Sequence, residues 1–190
     1  VIGLLQFFNQ ISVFDLITFS ILGIIFSIVG LASSFFHLAN KKNAIKSMSQ
    51  WQTSWLSREA ISSIICLLLV FGNIGLVFLQ NMYINGIGFV LFFTALFTIF
   101  TTSMIYAQLK TVPSWNNVLT PALFIFAALT GGAILLTNYV GLVTLLIFGT
   151  LQISFWYIAD QGFKDNKTSI GTALGFEANE EIRPFDAAHT

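Results

Sequence analysis

Long apolar runs constrain this chain more than any other feature. Hydrophobic residues make up 56% of the sequence and charged residues only 8%, whereas a soluble domain carries about a quarter charged residues. Runs this long span a membrane as helices, because helices satisfy every backbone polar group internally. We therefore expect an all-α polytopic bundle of about five transmembrane helices. The predicted spans are residues 13–37, 58–79, 86–107, 121–137 and 139–160.

The order of spans and loops divides the chain into two parts. Residues 1–160 are predicted to form the transmembrane bundle, with a polar loop at 38–57, and residues 161–190 a polar loop or tail. The first eight residues resemble the end of an earlier helix, and the sequence stops without a structural ending, so we expect a fragment of a longer protein. Short connections make neighbouring helices antiparallel.

The antiparallel order places every basic residue on or beside one membrane face. These residues are Lys41, Lys42, Lys46, Arg58, Lys110, Lys164, Lys167 and Arg183. The positive-inside rule assigns this face to the cytoplasm.

Two proton-exchanging side chains are predicted to lie at that same face. His37 ends the first full span, and Glu59 follows at the start of the next. Histidine titrates near neutral pH, a carboxylate at membrane depth indicates function, and the positive end of the helix dipole would favour the anion at Glu59. His37 is equally compatible with a simple interfacial histidine bonded to a backbone carbonyl.

Three stripes of residues are predicted to face the bundle interior. A seam of small residues on the first span should let helices approach closely and direct His37 inward. On the second span Glu59, Ser63 and Cys66 share a face. A threonine stripe on the third span is interpreted as ordinary interhelical hydrogen bonding. The seam is Ser20, Gly23, Ser27, Gly30 and Ser34, and the third stripe is Thr94, Thr98, Thr102 and Tyr106.

Several cofactor classes are disfavoured by residue counts. A single cysteine, Cys66, cannot hold an iron–sulfur cluster within this chain. Two histidines, one of them in the polar tail, do not suit a bis-histidine haem in the membrane. We therefore expect no haem, no iron–sulfur cluster and no bound metal in this chain.

Two motifs resemble the membrane-anchor subunits of dimethyl sulfoxide reductase and its relatives. The segment 36–61 is similar to that family's His-Leu turn, basic stretch and Ser-Leu-Ser-acid opening of the next helix. Residues 110–115, with a later Thr-Pro at 120–121, resemble its Thr-Val-Pro-x-Trp loop. Residues 171–175 and 188–190 give a weaker third match. Where the family has Gly and Pro after His-Leu, this chain has Ala39, Asn40 and Lys41.

The resemblance implies a function, partners and a site. Such a subunit anchors a molybdopterin catalytic subunit and an iron–sulfur subunit in the bacterial cytoplasmic membrane, and it oxidises menaquinol in anaerobic respiration. His37 and Glu59 match the quinol site as its catalytic residues, and Trp55, Arg58, Pro113 and Trp115 are assigned to quinol binding. The family carries about eight helices, so the terminal helices are expected to be absent here.

The sequence leaves two questions open: the orientation of the basic face in the membrane and the functional class. In many relatives the iron–sulfur partner lies outside the cytoplasmic membrane, whereas the charge rule places the basic face inside. The competing functional class is a non-enzymatic membrane protein, either a small transporter or a purely structural anchor. A transporter should show an inverted repeat and polar breaks near mid-membrane, and neither is evident in this sequence.

Overall fold

Helices form all the regular structure in the part of the chain that is described. A computed structural model describes residues 1–36, 48–80, 83–112, 114–136 and 140–165, and these ranges contain no strand. The helices are α1 (Ile2–Phe7), α2 (Val13–Phe36), α3 (Trp55–Gln80), α4 (Asn85–Ala107), α5 (Leu119–Leu135) and α6 (Val140–Asp165), and a 3₁₀ turn covers Met48–Gln50. The all-α membrane class is therefore confirmed.

The helix lengths refine the predicted spans. Within the described ranges, α2, α3, α4 and α6 are long and apolar enough to cross a membrane. Helix α5 has 17 residues, so it is about 25 Å long and falls short of a hydrocarbon core of about 30 Å. Helix α3 begins three residues before the predicted boundary, and α6 continues to Asp165, past the expected end at 160.

Side-chain caps fix the starts of two spans. The Ser12 hydroxyl accepts a hydrogen bond from the backbone N–H of Asp15 (3.1 Å) and donates one to the Asp15 carboxylate (2.7 Å). The capping role predicted by the spacing of these two residues is therefore confirmed. At α3 the Ser54 hydroxyl accepts a bond from the N–H of Ser57 at 3.4 Å, so Ser54 is the N-cap.

Consecutive helices pack as antiparallel neighbours from α3 to α6. Side chains near the start of α3 contact others near the end of α4, as the bond between Glu59 and Thr102 shows. Helix α1 lies against α4 where two glycines meet: a β-carbon on Gly3 would lie 2.5 Å from the Gly88 carbonyl oxygen. Most large apolar side chains remain exposed, as expected for a bundle whose outer surface faces lipid.

Helix α2 leaves the bundle along its second half. Its buried residues are Leu16, Ser20 and Ile24, while residues 25–33 are all exposed. The prediction that the small-residue seam brings helices into close contact is wrong for this part of the chain. A β-carbon added at Gly23 or at Gly30 would meet no atom within 4 Å, so the missing side chains leave open space beside α2.

Candidate functional site

Arg58 organises the turn that precedes α3. Its guanidinium donates to the backbone carbonyls of Trp51 (2.9 Å) and Gln52 (2.6 Å). The same group lies 4.2 Å from the centre of the Trp55 ring, a distance typical of cation–π contact. The Trp55 ring also meets Phe100 of α4 edge to face at 5.9 Å. Arg58 therefore fixes the entry to α3 and orients Trp55 against the next helix.

Glu59 lies in the second turn of α3, one turn deeper than the sequence suggested. Because α3 starts at Trp55, no acidic residue falls in its first turn. The stabilising field of the helix dipole fades beyond that turn. Glu59 thus lies beyond the turn on which the helix-dipole argument from the sequence depended.

That partner is Thr102, on the last turns of α4. The Thr102 hydroxyl lies 2.7 Å from Glu59 Oε1 and 3.0 Å from the carbonyl oxygen of Thr98. Both side chains are half-buried. A separation of 2.7 Å between these two oxygens is typical of an O–H···O hydrogen bond.

A second hydroxyl pair joins the same two helices beside Glu59. The hydroxyls of Ser62 and Thr101 lie 3.3 Å apart, and both side chains are buried. The Ser62 hydroxyl also lies 3.0 Å from the carbonyl oxygen of Glu59, and the Thr101 hydroxyl lies 2.7 Å from the carbonyl oxygen of Thr98. Because a hydroxyl has one hydrogen, one of the two donates across to the other helix while the other donates to its own helix. These contacts hold the backbone around Glu59 and Thr102 in register, which fixes the position of the carboxylate.

Glu59 borders a large cavity between α2, α3 and α4, which we call the α2–α4 cavity. Its volume is about 760 Å³. Glu59, Ser63 and Cys66 line one wall, as their shared helix face predicted. Four residues of the small-residue seam of α2 line the wall opposite: Ser20, Gly23, Ser27 and Gly30. The remaining lining is mainly apolar. A single carboxylate thus faces an apolar chamber large enough for a drug-sized ligand.

A second cavity lies between α4, α5 and α6, and we call it the α4–α6 cavity. Its volume is about 720 Å³, and Thr102, Tyr106 and Trp115 form part of its wall. The Trp115 and Tyr106 rings meet edge to face at 5.3 Å. The loop carrying Trp115 is held by the Thr120 hydroxyl, which donates to the Trp115 carbonyl at 2.8 Å.

The residues assigned to the quinol site from the sequence divide among several places. Glu59 borders the α2–α4 cavity, Trp115 borders the α4–α6 cavity, and Trp55 and Arg58 form the turn at the start of α3. His37 and Pro113 lie outside the described residues. Among the described residues no group of three or more His, Cys, Asp or Glu could hold a metal ion.

Thr102 is the site residue whose role the sequence did not reveal. It belongs to the threonine stripe that was interpreted as ordinary interhelical bonding. In the structure Thr94 and Thr98 donate to carbonyls of their own helix, and Thr102 reaches Glu59 on α3. The available signal was its position near the same membrane face as Glu59, but a four-residue repeat does not show which member meets a carboxylate.

Comparison with known proteins identifies the family of this chain. The family model described as DMSO reductase anchor subunit (DmsC) matches residues 5–155. The chain belongs to the family of DMSO reductase anchor subunits. The match covers most of the chain, including α2 to α5 and the turn that carries Arg58 and Glu59. The described part of the chain contains four long apolar helices, so this family member is a multi-pass membrane protein.

A curated relative extends the comparison. The chain is 30% identical over 152 residues to a sulfite dehydrogenase subunit of Allochromatium vinosum. The aligned region covers 70% of this chain and 46% of the relative, so the chain spans about half the relative's length. No solved structure matches the chain.

Proposed function

We propose that this chain is the menaquinol-oxidising membrane anchor of a molybdopterin oxidoreductase complex, with its quinol site in the α2–α4 cavity. The observation that carries the proposal is the Glu59 carboxyl group, held by Thr102 at 2.7 Å and facing an apolar cavity of about 760 Å³. A carboxylate beside such a volume has a ready role as proton acceptor for a hydrophobic reductant.

The cavity suits an amphipathic ligand with a polar head and a long apolar tail. Glu59 and Ser63 mark the polar part of its wall, and Gly23 and Gly30 leave room along α2. A quinol hydroxyl would lie beside Glu59, and the isoprenoid tail would follow the small-residue seam toward lipid. Open space at both glycines accommodates the width of such a tail.

The chemistry requires two proton acceptors and one electron acceptor. Oxidation of a quinol releases two protons and two electrons. Glu59 would take one proton and His37 the other, while Arg58 and Trp55 keep the start of α3 in place. The electrons would pass to an iron–sulfur subunit docked at this membrane face and from it to the molybdopterin subunit.

The terminal substrate belongs to those partner subunits. The family's description names a reductase, whereas the relative from Allochromatium vinosum is named as part of a dehydrogenase. Protonation of Glu59 is reversible, so the same site could oxidise a quinol or reduce a quinone. Family membership favours quinol oxidation in the bacterial cytoplasmic membrane as the working direction.

Replacing Glu59 with glutamine tests the proposal. Glu59→Gln keeps the shape of the side chain but removes the proton acceptor, so quinol-driven turnover of the assembled complex should fall about 100-fold or more. The control is Asp15→Asn, because Asp15 also pairs with a hydroxyl at 2.7 Å but only caps α2. Turnover driven by a reduced viologen dye, which bypasses quinol, should be normal in both variants.

The result that contradicts the proposal is parental quinol-driven turnover in Glu59→Gln. Binding of a fluorescent quinol analogue then distinguishes a quinol site from a purely structural anchor. Binding that is lost in both Glu59→Gln and His37→Asn supports the site, whereas the absence of any binding to the parent complex would favour a purely structural anchor. Copurification with a cluster-bearing partner distinguishes an anchor of either kind from a transporter.

A further inference from the structure

Thr102 occupies the boundary between the two cavities. Glu59 borders the α2–α4 cavity, and Thr102, which bonds to it at 2.7 Å, borders the α4–α6 cavity. The hydrogen bond therefore crosses the contact between α3 and α4 and joins two chambers of similar size.

The contacts of Thr102 suit both protonation states of Glu59. A threonine hydroxyl has one hydrogen to donate and two lone pairs that accept. When Glu59 is ionised, the hydroxyl donates to Oε1. When Glu59 is protonated, the carboxyl group donates to the hydroxyl, whose hydrogen turns to the Thr98 carbonyl 3.0 Å away. No heavy atom has to move between these two states.

We propose that Thr102 is the outlet through which the proton taken up by Glu59 leaves for the α4–α6 cavity. This inference rests on the proposed quinol site and adds a route that the site itself does not specify. Thr102 is a positioning and relay residue, because it contacts Glu59 and is not among the residues that line the α2–α4 cavity.

The transfer moves one proton and returns Glu59 and Thr102 to their starting forms. The quinol hydroxyl gives a proton to the Glu59 carboxylate. The Thr102 hydroxyl then turns its hydrogen from the Thr98 carbonyl toward the α4–α6 cavity. It releases that proton to a water molecule there as the Glu59 carboxyl group passes its own proton to the Thr102 oxygen. Glu59 returns to the carboxylate and Thr102 to the hydroxyl, and the electrons leave separately to the iron–sulfur partner.

The α4–α6 cavity has the properties that an outlet needs. Its volume of about 720 Å³ exceeds the ~30 Å³ share of one water molecule many times over. Its lining is mainly apolar, and Tyr106, Thr120 and Gln152 are among its polar residues. Tyr106 and Trp115 lie at the end of α4 and in the following loop, so the cavity reaches the membrane boundary on the Glu59 side.

Valine and serine substitutions at Thr102 test the relay in the whole complex with its partner subunits. Thr102→Val keeps the shape without the hydroxyl and should reduce quinol-driven turnover about tenfold or more. Thr102→Ser keeps the hydroxyl and should remain within about twofold of the parent, with the parent's solvent deuterium isotope effect. Thr94→Val is the matched control, because Thr94 lies on the same stripe and bonds only to the Val90 carbonyl among the contacts that are described.

The outcomes of this experiment distinguish a failure of the Thr102 relay from a failure of the quinol site. Viologen-driven turnover recovered in the membrane fraction identifies the complexes that have assembled on the anchor, and Thr102→Ala is made as a second hydroxyl-free variant. Parental quinol turnover and isotope effect in Thr102→Val, together with an inactive Glu59→Gln, would overturn the relay and leave the quinol site standing. Parental turnover in both variants would overturn the quinol site itself. If neither hydroxyl-free variant assembles, Thr102 is structural and the relay is overturned.

Discussion

Two interhelical polar pairs on α3 differ in almost every physical respect. Near the end of α3, Asn73 and Gln6 of α1 exchange two amide hydrogen bonds at 2.9 and 3.0 Å. Their exposed fractions are 3% and 0%. Near the start of α3, Glu59 is half-buried, bonds to one hydroxyl on α4 and borders a cavity. We call these regions the closed amide pair and the open carboxyl pair.

The difference separates a structural pair from a chemical one. Each amide in the closed pair donates to and accepts from the other, and Gln6 also donates to the Ile84 carbonyl at 3.2 Å. Such mutual satisfaction in a low-dielectric interior holds α1 against α3 and leaves no capacity for a ligand. The open pair keeps a titratable group beside free volume, which is the arrangement that proton exchange requires.

Overpacking beside the closed pair should have the largest effect on stability. Gly88→Ala places a methyl group against the Gly3 carbonyl and the backbone N–H of Phe7. Neither neighbour is a flexible side chain, so the free energy of unfolding should fall by about 3 kcal/mol, the upper end for overpacking.

Thermal or detergent unfolding of the purified complex measures this loss. Gly72→Ala is the control, since a methyl group there would meet nothing within 4 Å and should leave stability equal or slightly higher. Equal stability of Gly88→Ala and Gly72→Ala would show that α1 does not press against α4.

Breaking the closed pair should have the next largest effect. Asn73→Leu leaves the buried amide of Gln6 without two of its bonds, so stability should fall by about 2 kcal/mol. The double variant Gln6→Leu with Asn73→Leu should recover part of this loss, because no buried amide then lacks its partner. Quinol-driven turnover per assembled complex should not change. A double variant as unstable as the sum of the single ones would argue against a direct bond.

Filling the cavity beside the open pair should affect substrate binding and leave stability intact. Gly30→Leu projects a side chain into open space along the seam of α2. The KM for quinol should rise about fivefold, equivalent to roughly 1 kcal/mol, while kcat and unfolding stay close to the parent. Steady-state kinetics give the KM for a long-tailed and for a tail-free quinol, and only the KM for the long-tailed quinol should rise. An equal rise for both would place the tail elsewhere.

Much of the bundle could be predicted because membrane helices are recognisable from the local composition of the sequence. The spans, the cap at Ser12 and the shared face of Glu59, Ser63 and Cys66 all follow from runs and spacings along one helix. The start of α3 was predicted three residues late, at Arg58 instead of Trp55, because the cap at Ser54 was not recognised from the sequence. Because of that error, Glu59 was expected in the first turn of α3, whereas it lies in the second.

Contacts between helices were less accessible from the sequence. The seam on α2 was expected to pack tightly, but in the structure it borders open volume. Small residues permit close approach and equally leave a gap when the partner helix diverges. The amide pair between Gln6 and Asn73 joins residues 67 positions apart, and no local pattern links them.

The amino-acid order alone determined that this chain is a bundle of membrane helices with antiparallel neighbours, because hydrophobicity and helical period act locally. Only the tertiary structure decided that Glu59 meets Thr102, that a cavity opens on each side of that bond, and that Gln6 and Asn73 close the opposite end. These contacts and cavities depend on how the helices cross and where they separate. The summed energies of many weak contacts determine both.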